Sequence, residues 1–178
     1  MIIWINGAFG AGKTSVGRRI VTMRPGASLF DPEQIGFLLR RLMPAVKVED
    51  FQELPLWREL TVRLVGEAAA TSEGPIVVPM TLADPRYFVE IVDGLRAVGV
   101  DVRHFTLSVP AETLRRRLWR RLDWPASRSW ALARVERCVA ALAEERFAVH
   151  VATEGRSAAD LARYLLAEIE PDAVGACA

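Results

Sequence analysis

A glycine-rich stretch near the amino terminus constrains the fold more than any other part of the sequence. Residues 6–15 read NGAFGAGKTS, and residues 7–14 have the spacing G-x-x-x-x-G-K-T, which is typical of loops that bind nucleotide phosphates. Phosphate oxygens need several backbone N–H groups pointing at them, and glycine lets the chain curl tightly enough to supply these groups. Such a loop must follow a strand and precede a helix. The apolar run 2–5 and the helical period of 13–23 meet this requirement.

The residue types within this loop predict separate roles. Lys13 is expected to reach the outer phosphates as a compact positive charge and to assist phosphoryl transfer, and the Thr14 hydroxyl is expected to ligate Mg²⁺. Of 23 basic residues, only Lys13 and Lys47 are lysines, which favours a task for Lys13 that arginine cannot perform. The residues predicted to bind the nucleotide are Gly7, Ala8, Phe9, Gly10, Ala11, Gly12, Lys13, Thr14 and Ser15.

The rest of the chain alternates between apolar runs of strand length and segments of helical period. Such alternation favours a parallel sheet that is covered by helices on both faces, within one domain over residues 1–178. The predicted strands are 2–5, 28–31, 75–80, 101–108 and 148–153. The predicted helices are 13–23, 32–43, 54–70, 84–99, 110–122, 130–145 and 157–170, with a break at 123–129.

Composition excludes several other classes of protein. With 51% hydrophobic residues and a formal net charge of +1, the chain is expected to fold compactly and not to gather nucleic acid. No apolar run reaches the length of a membrane span, and the first residues have no basic region typical of a signal peptide. Cys138 and Cys177 indicate no disulfide framework, so the cytoplasm is the expected compartment.

Proteins with this loop usually carry an acidic residue near Mg²⁺ at the end of another strand, but the strand 75–80 ends without one. Asp31 ends the second predicted strand, and we expect it to take a proton from an attacking hydroxyl or to help hold Mg²⁺. The alternative for Asp31, compatible with these roles, is an N-cap before Pro32. For Asp84, the N-cap role is the favoured interpretation.

Five arginines lie within residues 115–122, and Arg128 follows. We expect a mobile lid over residues 115–130 that folds arginines onto the triphosphate. Arg117 and Arg121 are the predicted catalytic arginines, and Arg128 is predicted to bind the nucleotide. A solvated helix face and a nucleic-acid patch are the alternatives that the pattern leaves open.

A mixture of rings and hydrogen-bonding groups between the second and third helices suits an aromatic or heterocyclic acceptor. The residues predicted to bind substrate are Phe37, Arg40, Arg41, Phe51, Gln52, Trp57 and Arg58. Core packing is the alternative for the rings, and a surface role is the alternative for the arginine pair. His104 and His150 fall within strands and are interpreted as structural, and no Ser-His-Asp set or zinc-like spacing occurs.

Six segments in the same order resemble the bacterial tunicamycin-resistance proteins: MIIWINGAFGAGKT, DPEQIGF, LPLWRE, VPMTLADPRYF, HFTL followed by ETLRRRL, and SWALARVERCV. The resemblance implies a P-loop NTPase fold of the nucleoside and shikimate kinase type, a three-layer α/β/α arrangement with strand order 2-3-1-4-5. It also implies ATP-dependent protection against tunicamycin, a nucleoside antibiotic that carries uracil, sugars and a fatty acyl chain.

Family members can carry a longer carboxyl-terminal tail thought to lie on the membrane, whereas this sequence ends in EPDAVGACA, so no stable membrane anchor is expected. The expected cofactors are ATP and Mg²⁺, the expected partner is tunicamycin or a related uracil nucleoside, and the expected state is a monomer or homodimer. The leading hypothesis is a kinase for a hydroxyl of the antibiotic. A protein that sequesters the drug, and a kinase for a nucleoside or other small metabolite, are the alternatives.

Overall fold

The fold comes from a computed structural model that describes residues 1–120 and 125–170, without the side chains of 125–127. The strands are β1 (Ile2–Gly7), β2 (Ser28–Leu29), β3 (Ile76–Pro79), β4 (Val102–Ser108) and β5 (His150–Ala152). The helices are α1 (Lys13–Met23), α2 (Glu33–Leu42), α3 (Pro55–Thr71), α4 (Pro85–Phe88), α5 (Gly94–Ala97), α6 (Ala111–Arg120), α7 (Pro125–Leu132), α8 (Val135–Leu142) and α9 (Ala158–Ile169). Shorter elements are 3₁₀ turns at Phe51–Glu53 and Glu145–Phe147 and a π-helical segment at Val89–Asp93.

All five strands are parallel, in the order β2-β3-β1-β4-β5. Strand β1 lies in the middle and is buried along its whole length, which matches its unbroken apolar sequence. It pairs with β4 from Ile2↔Val102 to Gly7↔Leu107, whereas β2 pairs with β3 over only two residues. The P-loop kinase-like fold and the strand order that the resemblance implies are therefore confirmed.

Alternate side chains of the central strands reach opposite faces of the sheet. On one face, α1 packs against α9, and its Gly17 lies close to Ile5 and Val77. On the other face, the ring of His104 contacts Phe88 of α4 at 4.8 Å between centroids. Helix α3 packs on the π-helical segment and on α5, so the sheet has helices on both faces.

Helices α4 and α9 begin where the sequence supplies a cap. Asp84 accepts a hydrogen bond from Arg86 N–H (2.9 Å), and Pro85 follows at the first helical position, which confirms the N-cap role of Asp84. Arg86 also donates to Asp84 and holds the pKa of this carboxyl below its usual value. Helix α9 begins with a capping box of Ser157 and Asp160.

Four segments differ from the sequence-based predictions. Strand β2 ends at Leu29 and β5 spans only 150–152, because a turn replaces pairing at Asp31 and a 3₁₀ turn runs up to Ala148. The predicted break at 123–129 is wrong for 125–129, since Pro125 begins α7 at a position that suits proline. The predicted helix 130–145 is interrupted at residues 133–134 and ends at Leu142.

Candidate functional site

The phosphate loop joins β1 to α1 through a tight backbone turn. Ala11 N–H donates to Ala8 O at 3.1 Å, and Lys13 is the first residue of α1. Gly10 and Gly12 have φ of 83° and 97°, in the left-handed region that favours glycine. The loop therefore holds the N-terminus of α1, with its partial positive charge, at the carboxyl end of the sheet.

Lys13 lies folded over this loop. Its Nζ donates to Gly7 O at 2.9 Å and to Ala8 O at 3.1 Å, and it lies 5.8 Å from the centre of the Phe9 ring. Trp130 of α7 packs edge-on against the same ring at 5.0 Å. The ammonium group is thus placed beside the turn in which an anion would lie.

A buried polar cluster anchors the start of the loop. The Asn6 side chain accepts hydrogen bonds from Gly7 N–H (2.8 Å) and Leu82 N–H (2.9 Å) and donates to Leu82 O (2.9 Å). Asn6 Nδ2 also faces His104 Nε2 at 3.3 Å, while His104 Nδ1 faces Ala148 O at 3.1 Å. Burial lowers the pKa of His104 to about 4, so this ring is neutral at physiological pH and serves the structural role predicted for it.

A cleft of about 640 Å³ opens beside the loop, a size that suits a small-molecule ligand. The predicted site residues that line it are Phe9, Gly10, Ala11, Gly12, Lys13, Thr14, Ser15, Asp31 and Arg117. Eight further lining residues were not predicted, and the polar ones are Arg18, Glu33, Thr153 and Arg156. The fold therefore brings the end of β2, the loop, α6 and the β5–α9 connection to one cleft.

Asp31 combines a capping position with a place in this cleft. Its Oδ1 accepts a hydrogen bond from Glu33 N–H at 3.0 Å and so closes the turn that leads into α2. The cleft is lined by both Asp31 and Thr14, an oxygen donor set that suits Mg²⁺. In the described parts of the chain, no group of three or more His, Cys, Asp or Glu side chains is arranged to hold a metal ion. A magnesium site here would therefore depend on phosphate and water oxygens as well.

The predicted lid arginines have different surroundings. Arg117 Nη1 lies 3.3 Å from Gly10 O and 3.4 Å from Ala11 O, so its guanidinium rests on the phosphate loop. Arg128 lies over the ring of Trp119 at 5.3 Å and does not line the main cleft. Arg121 lies outside the described residues.

The predicted acceptor residues form an aromatic group next to α2. Phe51 packs against Phe37 at 6.4 Å and against Trp57 at 5.2 Å, and the Arg40 guanidinium lies 5.4 Å from the Phe51 ring centre. Arg40 also donates to Glu49 O at 3.2 Å. Phe37 is half exposed (51%), and Arg41 is exposed. None of these side chains lines the main cleft.

Three of the predicted acceptor residues have structural partners. Trp57 is fully buried and donates through Nε1 to Pro32 O at 3.0 Å. Gln52 is buried and donates to Thr81 O at 3.0 Å. Arg58 pairs with Glu90, donates to Gln52 O at 2.6 Å and lies 4.4 Å from the Tyr87 ring centre. In this conformation, these three side chains connect α3 and the 3₁₀ turn to neighbouring segments and do not line the cleft.

Local sequence patterns could have indicated some of the unpredicted cleft residues but not others. Arg18 follows Thr14 by four residues on α1, so helical spacing could have placed both on one face. Glu33 follows Asp31 in the same turn. Thr153 and Arg156 belong to the β5–α9 connection, which joins the site only through the parallel sheet. No local sequence pattern indicated these two residues.

The strand order, the loop and the cleft define a P-loop protein of the kinase-like type, a fold that implies nucleotide binding. The sequence matches the AAA domain family over residues 2–149. It is 31% identical to the tunicamycin resistance protein of Deinococcus radiodurans, whose structure aligns over 94% of both chains with a TM-score of 0.79. The chain belongs to the family of tunicamycin-resistance proteins.

More distant structures share the fold. A gluconokinase from Sinorhizobium meliloti 1021 is 22% identical and aligns over 95% of this chain and 91% of its own, with a TM-score of 0.63. A shikimate kinase from Bacteroides thetaiotaomicron is 18% identical over 96% and 98%, with a TM-score of 0.62. A search among curated protein sequences gave no match. The helices that the structure describes include none long and apolar enough to cross a membrane.

Proposed function

We propose that this protein transfers the γ-phosphoryl group of ATP to a hydroxyl group of tunicamycin or a related uracil nucleoside. The observation that carries the proposal is that Lys13, Asp31 and Arg117 line one cleft beside the phosphate loop. The relative of known structure is named for tunicamycin resistance, which supports the choice of acceptor. An added phosphate would give the antibiotic negative charge and bulk, and thereby weaken its binding to its target.

In the proposed reaction, the loop N–H groups and Lys13 hold the triphosphate, and Arg117 balances the charge that develops on the moving phosphoryl group. Asp31 accepts the proton of the attacking hydroxyl. The new bond joins the acceptor oxygen to the γ-phosphorus while the bond to the β-phosphate oxygen breaks, so ADP leaves. When bound, Mg²⁺ neutralises phosphate charge; Thr14 and Asp31 are the residues that would hold it.

The two ends of the cleft suggest how the ligands are oriented. Thr153 and Arg156 line it at the β5–α9 connection, and we place the base and ribose of ATP there. At the opposite end, Glu33, Phe37 and Arg40 follow one another at helical spacing on α2, and Phe51 packs against the last two. We place the acceptor along this face, since half-exposed rings suit a heterocycle or an alkyl chain.

The reaction is tested by incubating the purified protein with ATP, Mg²⁺ and tunicamycin, followed by mass spectrometry. We expect the antibiotic to gain the mass of one phosphate and ADP to form in equal amount. Lys13→Met provides the matched control, because methionine keeps much of the side-chain volume without the charge. If the wild-type protein forms neither product, the proposal is wrong.

A second function, sequestration of the drug without chemistry, is favoured by one observation. Strand β3 ends at Pro79 and is followed by Met80 and Thr81, so no acidic residue lies where many P-loop enzymes carry one. Asp31→Asn separates the two functions, since it removes the proton acceptor and keeps the shape of the side chain. Loss of resistance with unchanged tunicamycin binding supports catalysis, whereas resistance and binding that both persist support sequestration.

The third candidate, a kinase for a common nucleoside or other small metabolite, is tested with a panel of acceptors under the same conditions. Faster turnover of any common nucleoside than of tunicamycin supports this candidate. ATP and Mg²⁺ are both abundant in the cytoplasm, and we place the reaction in that compartment.

A further inference from the structure

Thr81 lies two residues beyond the end of β3, in the stretch where many P-loop enzymes carry an acidic residue, and its side chain points to the phosphate loop. The residue is 5% exposed, and its Oγ1 donates to Gly7 O at 2.9 Å. An ionised carboxylate at this position could not make that contact, because it only accepts hydrogen bonds. The hydroxyl therefore performs a task that the usual acidic residue cannot.

Gln52 continues this contact away from the cleft. It lies in the 3₁₀ turn Phe51–Glu53, is 7% exposed, and donates through Nε2 to Thr81 O at 3.0 Å. The turn is itself fixed, because Asp50 accepts from Gln52 N–H (3.0 Å) and Arg58 donates to Gln52 O (2.6 Å). A chain of buried hydrogen bonds thus runs from this turn through Thr81 to Gly7.

Gly7 O also accepts a hydrogen bond from Lys13 Nζ, which donates to Ala8 O as well. A carbonyl oxygen has two lone pairs, so it can accept from Thr81 and Lys13 together. For Lys13 to turn towards a phosphate, its contact with Gly7 O must be released. The Thr81 hydroxyl keeps that oxygen satisfied during this movement, which avoids the cost of a buried acceptor without a partner.

We propose that Gln52 and Thr81 are positioning residues that set the affinity for ATP from outside the nucleotide cleft. Without the Thr81 hydroxyl, Gly7 O loses one of its two hydrogen-bond donors and would be left without a partner when Lys13 turns away. Release of the ammonium group from the loop then costs more free energy, so the affinity for phosphate falls. Without the Gln52 donor, Thr81 loses the contact that fixes its backbone. The inference rests on nucleotide binding within the proposed function and is independent of the identity of the acceptor.

The test measures binding of a non-hydrolysable ATP analogue with Mg²⁺ by calorimetry, with no acceptor present. We expect Thr81→Val and Gln52→Glu each to weaken binding about tenfold, the loss of roughly one net buried hydrogen bond. Because both act on one chain of contacts, the double variant is expected to bind little worse than either single variant. Thr81→Ser retains the hydroxyl and is expected to restore binding to the wild-type level.

Thr61→Val is the matched control, since Thr61 is also fully buried and its hydroxyl donates to Trp57 O (2.8 Å) within its own helix, α3. It is expected to bind the analogue as the wild type does. The inference is overturned if Thr81→Val and Gln52→Glu bind normally, if their effects add in full, or if Thr61→Val weakens binding equally. If Thr81→Val does not fold, the inference is tested by the other two variants. It is overturned if Gln52→Glu binds the analogue normally or if Thr81→Ser binds it more weakly than the wild type does. If the variants change the binding of the ATP analogue as expected but the wild-type protein leaves tunicamycin unmodified, only the proposed reaction is wrong.

Discussion

His104 shows at the scale of one residue how surroundings fix a protonation state. Asn6 Nδ2 can only donate and Ala148 O can only accept, so the hydrogen bonds define a neutral ring with its proton on Nδ1. A second proton would meet the Asn6 amide group in a buried place. Burial disfavours the charged form of the ring, and this lowers the pKa of His104 from 6.5 to about 4.

The lowered pKa predicts how stability depends on pH. Above pH 6.5, the ring is neutral in both the folded and the unfolded chain. As the pH falls from 6.5 to about 4, the unfolded chain binds a proton that the folded ring rejects, so the free energy of unfolding decreases by up to about 3 kcal/mol. Urea unfolding at several pH values would measure this slope.

His104→Gln is expected to flatten the slope between pH 6.5 and 4, although it lowers stability overall. An unchanged slope in His104→Gln would show that other groups cause the acid sensitivity.

At the scale of elements, Gly36 controls how closely the 3₁₀ turn packs on α2. A Cβ atom at this position would lie 2.5 Å from the Phe51 ring, so the ring could not keep its place. Phe51 in turn packs against the buried Trp57 and against Phe37 and Arg40 of the proposed acceptor face. The missing side chain of Gly36 thus allows this face to assemble.

Gly36→Ala is expected to lower the free energy of unfolding by about 1–3 kcal/mol through overpacking, a loss only partly offset by the better helix propensity of alanine. Gly66→Ala is the matched control, because its Cβ would lie 3.8 Å from Leu95, an ordinary contact. This control should be neutral or gain about 0.5–1 kcal/mol. Equal stability of the two variants in urea unfolding would contradict the packing argument.

At the scale of the whole molecule, the two ends of the parallel sheet have different tasks. The phosphate loop and cleft lie at the carboxyl ends of the strands, where ligands bind in open sheets of this kind. At the amino ends, the turns before β2 and β3 touch through Gly26 and Gly74, whose backbones approach closely. This contact holds the edge of the sheet together and is remote from the site.

Gly74→Ala is therefore expected to reduce stability by about 3 kcal/mol, because its Cβ would lie 2.5 Å from Gly26 O in a rigid backbone. The affinity of the folded protein for an ATP analogue should stay at the wild-type level. Gly94→Ala, whose Cβ would lie 3.8 Å from Val62, serves as the control for stability. A parallel loss of nucleotide affinity in Gly74→Ala would show that the two ends are coupled.

Local sequence signals predicted the bounds of some helices and strands correctly and those of others wrongly. Strand β1 and helix α1 were predicted with nearly correct bounds, because an apolar run, a glycine loop and a helical period are all local signals. The predicted bounds of the helices around residues 125–142 were wrong. Pro125 can either end or begin a helix, and the turn at 133–134 depends on tertiary contacts. One such contact joins Arg134 to Glu49, 85 residues earlier in the chain.

The candidate site likewise combines residues that local sequence predicts with residues that only the tertiary structure brings together. The sequence by itself determined the phosphate loop, with its glycines, Lys13 and Thr14, because close approach to phosphate restricts which residues fit within eight positions. Only the tertiary structure decided which distant groups lie beside that loop. It placed Arg117 and Arg156 in the cleft, buried Trp57 in the core, and directed the Thr81 hydroxyl to Gly7. The physical reason is that a parallel sheet gathers the carboxyl ends of strands that are far apart in sequence, and no local pattern records which side chains meet there.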